Sequence, residues 1–417
     1  MKIVMHAMTL TIGMAFFSVP MATANSKSIC AWDTLHSSEV TYGVRDLNFS
    51  EPEGLSWLGL KKLAEGQFEW SFGSVQKNLT TTKSFSSLSS SYDQINLSNF
   101  NGSTYAVASE MPDNNLQATW VIHKKDSVNG WQLPSSFQFP ISSQATDGFV
   151  SGISRVTSDH SNNLYLAGCV TYIEGSYNTY CLVRKSTDDG ATWKTIYTFP
   201  TNAFSKIVSL QTSSKNQIFV IGEKARRSQN ENDVIVVKAS MDSGMTWTDF
   251  ATFAEGNRTR VQDGAIDSKD TFIILGKVYE ERNGSGYVCY DIAQVISLQN
   301  ANNKAWDTYK SYFPSGSCGG DGKAQVRALP AGGFVIHSNN GPMLPPGVSN
   351  GQLRNGTALK IFKDGNFQRI DLSATLDYDV YPTSLAVSDN GDIAYSVVKT
   401  SGFKKPVIEI KKAQCSF

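Results

Sequence analysis

The sequence predicts an all-β propeller of repeated four-stranded units, and three observations point there. The stretch Ser186-Thr187-Asp188-Asp189-Gly190-Ala191-Thr192-Trp193 returns 54 residues later as Ser240-Met241-Asp242-Ser243-Gly244-Met245-Thr246-Trp247. Both copies read Ser-x-Asp-x-Gly-x-Thr-Trp, and each follows a short apolar run, Cys181-Leu182-Val183 or Val234-Ile235-Val236-Val237. An interval of this length is that of a propeller blade. Beyond the two copies, a strand after a polar turn recurs along most of the chain. With Tyr105, Tyr165, Phe219, Phe272, Phe334 and Ile393 as markers, the steps are 60, 54, 53, 62 and 59 residues. Finally, the cysteines at the two ends suit a ring that must close on itself.

Each residue of the repeated octet has a structural task. Gly190 and Gly244 stand where a tight turn needs positive φ. Asp188 and Asp242 suit Asx-type bonding to backbone N–H groups across that turn, with Ser186 and Ser240 opening it. Trp193 and Trp247 begin the next strand, placed to pack between neighbouring hairpins. Altered copies occur at Asp126 to Trp131 and at Phe362-Lys363-Asp364-Gly365-Asn366-Phe367.

The marker strands are Ser103 to Val107, Leu164 to Gly168, Ile218 to Gly222, Phe272 to Gly276, Phe334 to Ile336 and Ile393 to Val397. Turn-forming runs precede several of them, such as Ser158-Asp159-His160-Ser161-Asn162-Asn163 and Ser388-Asp389-Asn390-Gly391-Asp392. Six such units make a six-bladed propeller, with a seventh blade left open within residues 40 to 85. Residues 25 to 85 show no clean period: Gly54 to Phe68 mixes helical and strand patterns, and Thr80 to Ser91 is a Ser/Thr-rich run. This part is expected to complete the last blade.

The first 24 residues read as a cleavable secretory leader. They run from Met1-Lys2 through an apolar stretch, Met8 to Val19, to Ala22-Thr23-Ala24. The remainder, 25–417, is expected to be one propeller domain, secreted or periplasmic, with no transmembrane segment. Its 36 basic and 37 acidic residues, once Lys2 is removed, argue against a nucleic-acid partner, which would require a basic surface.

Six cysteines in an exported chain imply three disulfides. Order and spacing favour Cys169–Cys181 across one hairpin, Cys289–Cys318 between adjacent elements, and Cys30–Cys415 joining the ends. No C-x-x-C, H-x-x-H or H-E-x-x-H pair is present, so neither a metal nor another cofactor is expected.

The repeated octets resemble the Asp-box, or bacterial neuraminidase repeat, of the sialidase superfamily, matching it in full at 186–193 and 240–247. The repeat pattern extends the likeness over most of 90–417. The resemblance implies the propeller fold; it occurs in glycosidases and in non-catalytic propellers alike, so it does not by itself assign an activity. Sialidases clamp a substrate carboxylate with three arginines and use a tyrosine–glutamate pair as nucleophile with an aspartate as acid/base. Arginine suits the clamp because its planar fork bonds a carboxylate bidentately.

Arg155, Arg260 and Arg327 stand near the starts of expected innermost strands, where they could converge on the axis. The family's Arg-Ile-Pro motif is absent, and no catalytic residue is transferred. The segments 171–180, 223–233, 277–288 and 337–356 are expected to be long second-to-third-strand loops, and long loops on a rigid scaffold are where binding usually lives. Among the residues they offer are Tyr172, Glu174, Tyr279 and Arg282. The leading expectation is a non-catalytic module recognising a glycan or protein ligand through that loop face. A sialidase-like glycoside hydrolase and a structural surface protein are the alternatives.

Overall fold

A computed structural model describes the chain from 30 to 415, except 40–41, 51–53, 65–66, 77–78, 86–94, 111–118, 127–129, 133–134, 140–146, 175, 226–232, 283–285, 300–305, 313–323, 339–357, 372–379 and 400–406. The leader predicted for residues 1–24 lies outside the described residues, and among these no helix is long and apolar enough to cross a membrane.

Among the described residues, seven antiparallel sheets surround one axis; each is built on four main strands, in chain order from the inside out except in blade 7, whose outermost strand comes from the start of the chain. Blade 1 comprises Tyr42–Ser50, Gly54–Ala64, Gln67–Gln76 and Leu79–Phe85. Blade 2 comprises Ile95–Phe100, Ser103–Glu110, Thr119–Asp126 and Ser135–Gln138, with the short strand Gly130–Trp131 added beside its third strand. Blade 3 is Asp147–Ile153, Leu164–Glu174, Ser176–Ser186 and Lys194–Thr198, with the short strand Thr157–Ser158 added beside its second strand. Blade 4 is Lys206–Thr212, Ile218–Lys224, Val234–Ser240 and Thr248–Phe253, and blade 5 is Arg258–Ile266, Thr271–Arg282, Gly286–Ser297 and Asp307–Tyr312. Blade 6 is Gln325–Ala328, Phe334–Ser338, Ala358–Lys363 and Asn366–Asp371. Blade 7 takes Val380–Val387, Ile393–Lys399 and Val407–Cys415 from the end of the chain and its outermost strand, Cys30–Glu39, from the beginning.

That shared blade closes the ring: of the N-terminal part, 30–39 supply its outermost strand, whereas 42–85 form a blade of their own. Cys30 stands directly opposite Cys415 in its ladder. The count of blades is seven rather than the favoured six, the additional one lying in 42–85. It escaped periodicity because the second strand of blade 1 is buried on both sides. Leu55 and Trp57 pack with Ala386, Ala394 and Ile410 of blade 7, whereas Leu58 packs with Leu97, Ala106 and Ala108 of blade 2. A strand covered on both faces reads as a continuous apolar run and loses the alternation that marks a half-exposed one.

The predicted marker strands are the second strands of blades 2 to 7, and their aromatic and aliphatic side chains form the packing between blades. Tyr105, Leu166 and Trp193 share one cluster, and Phe219, Phe272 and Tyr290 another. Two segments predicted as loops are strand instead. Residues 171–180 form a hairpin around position 175, in which Thr171 and Thr179 face each other with hydroxyl oxygens 3.0 Å apart. Residues 277–288 belong largely to the 12-residue strands of blade 5. The β-branched and aromatic residues there extend the ladder, which satisfies backbone groups that a loop would leave to water. The central parts of 223–233 and 337–356 lie outside the described residues.

The repeated octets form the turns between third and fourth strands of blades 3 and 4. Asp188 Oδ1 accepts from the Thr192 amide at 2.8 Å and from the Ser186 hydroxyl at 2.8 Å; Oδ2 accepts from the Thr192 hydroxyl at 2.5 Å. Asp242 repeats the set with Thr246 and Ser240 at 2.8, 2.7 and 2.5 Å. The indoles of Trp193 and Trp247 donate back to the carbonyls of Gly190 and Gly244 at 3.1 and 3.0 Å. Gly190 has φ 82°, and a Cβ there would stand 2.8 Å from the ring of Tyr105 in the preceding blade. Glycine is therefore required twice over, by conformation and by the neighbour.

Cys169 and Cys181 are bonded across the central hairpin of blade 3. Cys289 is also disulfide-bonded, and its expected partner Cys318 lies outside the described residues.

Candidate functional site

The inner strands set the axial chemistry, and β-bulges decide which side chains reach it. In blades 1, 3, 4, 5 and 7 the register of the inner strand shifts by one, before Asp46, Gly152, Ser209, Asp263 and Ser384 respectively. A bulge re-aims the residue that follows it. Asp46, Asp263 and Ser384 accordingly enter one network across the axis.

Asp46 is its hub, with only 1% of its surface exposed. Oδ2 accepts from the Leu97 amide of blade 2 at 2.7 Å. Oδ1 accepts from the Arg155 guanidinium of blade 3 and from the Ser384 hydroxyl of blade 7 at 3.2 Å. Arg327 of blade 6 brings Nη2 to 3.7 Å from the same oxygen, and its Nη1 donates to Asp263 of blade 5 at 2.8 Å. Asp263 also accepts the amide of Val326 at 3.1 Å. Side-chain-to-backbone ties of this kind run between other inner strands, from the Leu385 amide to Gln325 Oε1 at 2.7 Å and from the Ala324 amide to Gln262 Oε1 at 2.7 Å.

Arg155 and Arg327, two of the three arginines singled out in the sequence, thus meet at one carboxylate inside the ring. Burial, and after it the charge of Arg327, lowers the Arg155 pKa to about 10, while Asp46 and Asp263 pull it upward. Arg155 is charged at neutral pH. His337, on the second strand of blade 6, is fully buried, and neither ring nitrogen has a hydrogen-bond partner among the described residues. Burial, then the charge of Arg327, pushes its pKa down to about 3.

Next to this network lies a cavity of about 400 Å³ formed by blades 3, 4 and 5 with contributions from blades 2 and 6. Arg155 is in its wall, and so are the third arginine, Arg260, and Tyr279. Lys206 and Lys277 add two more cations, against the carboxyls of Glu223 and Asp263. Asp263 is committed to Arg327, and the Arg260 guanidinium has no hydrogen bond or ion pair to a described residue. Burial pushes the Glu223 carboxyl up to about 7, with Asp233 acting in the same direction and Lys206, Arg258 and the Val261 amide opposing. A carboxyl held near neutrality among cations is a signature of a site able to take up or release a proton. Sequence reasoning missed Glu223 and Lys206. They lie opposite each other in the ladder between the first and second strands of blade 4, and only the ring turns that edge toward Arg260 of blade 5.

The other residues named from the sequence lie elsewhere. Tyr172 stands on the second strand of blade 3 opposite Asn178, away from the cavity. Glu174 and Arg282 end second strands, at the hairpins of blades 3 and 5, and their side chains are outside the described set. A tyrosine–glutamate contact does exist: the Tyr290 hydroxyl donates to Glu280 at 2.8 Å and lies 3.2 Å from Glu255, which pairs with Lys310 at 2.9 Å. None of these four residues lines the arginine cavity.

A larger cavity, about 660 Å³, opens between blades 5 and 6 at the short-turn end, lined by Asp267, Lys269, Asp307, Tyr309 and Asp364 among others. Both oxygens of Asp267 are already used, by the amides of Lys269, Thr271 and Gly333 at 3.0, 2.7 and 2.6 Å. The axial cavity is the better candidate because charges from separate blades converge on it.

No family model matches the sequence, and no curated protein matches it. Among solved structures the fold is similar to that of the polysaccharide lyase Uly1, with a TM-score of 0.53 and 9% identity over 92% of this chain and 100% of that one. The alpha-L-arabinanase of Penicillium chrysogenum gives a TM-score of 0.48 at 13% identity, covering 77% of this chain and 92% of that one. The sialidase of Trypanosoma rangeli gives 0.47 at 10% identity, covering 90% and 54%. At these identities what is shared is the fold: an all-β propeller of four-stranded antiparallel blades.

Proposed function

We propose that this protein is an exported propeller that binds a carboxylate-bearing glycan in the axial cavity between blades 3, 4 and 5. The observation that carries the reading is the convergence of Arg155, Lys206, Arg260 and Lys277 on one cavity of about 400 Å³, in a chain whose formal net charge is +0. Of these cations, drawn from three blades, Arg155 is already paired with Asp46, and of the two carboxyls Asp263 is already paired with Arg327, so that Lys206 and Arg260 line the wall with Glu223. Such a pocket favours an anion, and the Arg260 guanidinium is the group available to grip a carboxylate through two parallel hydrogen bonds. Tyr279 supplies an apolar face with a polar edge, suited to the flank of a sugar ring. A glycan is in keeping with the polysaccharide lyase that shares the fold.

The test is calorimetric titration of the mature chain with oligogalacturonate and a sialoside, set against a neutral oligosaccharide of equal length. Binding of the acidic glycans alone is expected, with a loss of about tenfold or more in Arg260→Ala. Equal affinity for the neutral oligosaccharide would overturn the reading.

A second reading, a sialidase-like hydrolase, is favoured by Glu223. A carboxyl with its pKa raised to about 7 is matched to protonating a glycosidic oxygen. Release of free sugar from a sialoside or uronoside, abolished in Glu223→Gln, would establish it.

A further inference from the structure

The geometry points to Glu223 as an internal competitor of the ligand. We infer that its ionised carboxylate takes the charge of Lys206 and Arg260 that a bound carboxylate would otherwise take, so that Glu223 decides when the cavity accepts an anion. The inference rests on the axial cavity being an anion site and adds how that site is regulated.

Glu223 lies directly across the antiparallel ladder from Lys206, and both line the cavity. Its backbone is held in place, with its carbonyl accepting from the Ser205 amide at 2.7 Å and the Ser205 hydroxyl at 3.0 Å. The side chain therefore projects from a fixed strand, not from a loop that could carry it away. The charged groups around it come from every neighbouring element. Lys206 belongs to its own blade, and Asp233 and Arg258 form an ion pair where blade 4 meets blade 5. Arg260, Lys277, Tyr279 and Asp263, the last paired with Arg327, come from blade 5, and Arg155, paired with Asp46, from blade 3. Asp233 and Arg258 act on Glu223 in opposite directions, Arg155 is held by Asp46, and Lys206 is the cavity cation with the largest effect on the carboxyl.

An ionised carboxylate inside such a pocket does what a ligand carboxylate does: it lowers the energy of the surrounding cations. Ligand and Glu223 anion therefore exclude one another electrostatically. Protonating Glu223 removes the repulsion and returns Lys206 and Arg260 to the ligand. Burial sets that protonation near neutral pH, where burial and Asp233 outweigh Lys206, Arg258 and the Val261 amide. By linkage a bound anion must in turn favour the protonated carboxyl.

The experiment uses the full mature chain and two probes, tetragalacturonate and a neutral tetrasaccharide. The acidic probe's carboxyls stay ionised from pH 5.5 to 8.5. The wild type is expected to bind it about tenfold more tightly at pH 5.5 than at pH 8.5. Glu223→Gln is expected to bind at pH 8.5 as tightly as the wild type does at pH 5.5, with a flat profile. Carboxyl carbon-13 titration of the wild type, which needs no variant, should show one glutamate whose midpoint rises when the probe is bound. Binding with the same pH profile in wild type and Glu223→Gln, or a midpoint that does not move, overturns the inference and leaves the anion site standing. No binding by either protein at any pH overturns the anion site itself.

Discussion

Arg155 and Asp46 lie 109 positions apart in the chain and on blades 1 and 3, yet the guanidinium donates directly to the carboxylate inside the ring. That contact makes Asp46 the point where blades 1, 2, 3, 6 and 7 are joined, through Leu97, Arg155, Arg327 and Ser384. A ring whose blades pack through apolar side chains gains directional contacts near its axis.

Asp46→Ala should be among the most destabilising single substitutions in the protein. It strips a partly buried arginine of its partner and a buried backbone amide of its acceptor, a loss of about 3 kcal/mol. Asp46→Asn keeps one acceptor for the Leu97 amide and should lose less. Urea unfolding of both variants beside the wild type checks the order.

Tyr105 of blade 2 ties the repeated turn of blade 3 to its neighbour. Its hydroxyl donates to Asp189 Oδ1 at 2.6 Å, and Lys124 Nζ reaches Asp189 Oδ2 at 2.5 Å. Tyr105→Phe keeps the buried ring and removes only the hydroxyl, so a loss of about 1–2 kcal/mol is expected. A thermal midpoint equal to that of the wild type would show that the hydroxyl bond contributes nothing net.

The turns formed by the two octets should respond to acid. Hydrogen bonds from Thr192 hold the Asp188 carboxyl down to about 2, and those from Thr246 do the same for Asp242. Both carboxyls ionise more readily in the folded chain than in the unfolded one. Their contribution is present above the ordinary aspartate range and is lost as pH falls through it toward 2. The Asp188→Asn, Asp242→Asn double variant should therefore lose less stability than the wild type between pH 5 and pH 2, as followed by Tm against pH.

His337 works in the same direction by the opposite route. With its pKa pushed down to about 3, it stays neutral in the fold while the unfolded chain takes up a proton near 6.5. It should cost about 1.4 kcal/mol of stability for each pH unit below 6.5 until its folded pKa is reached. His337→Leu removes the titration, so its urea midpoint should vary less than that of the wild type between pH 7 and pH 4.5.

Ring closure through blade 7 predicts that Cys30 and Cys415, opposite each other in the ladder, are joined. Peptide mapping under non-reducing conditions should recover that pair beside Cys169–Cys181. Cys30→Ser or Cys415→Ser should then lower stability by about 2–4 kcal/mol. Two free thiols at these positions would contradict the prediction.

The sequence by itself determined what is local and repeated. The octets around Asp188 and Asp242 spelled out their own hydrogen bonds, because Ser, Asp, Gly and Thr at fixed offsets close a turn without help from the rest of the chain. The marker strands were legible for a similar reason: an apolar run after a polar turn has one economical use. Two features were not local. The blade at 42–85 hid because strands such as Gly54–Ala64 are covered on both sides, which erases alternation. The axial site hid because its members come from separate blades. Arg155, Arg260 and Tyr279 were residue types without positions, and Lys206 and Glu223 had no motif at all. Only the tertiary structure decided which of them meet. Bulges turn chosen side chains toward the axis, and ring closure brings strands more than a hundred residues apart onto one carboxylate.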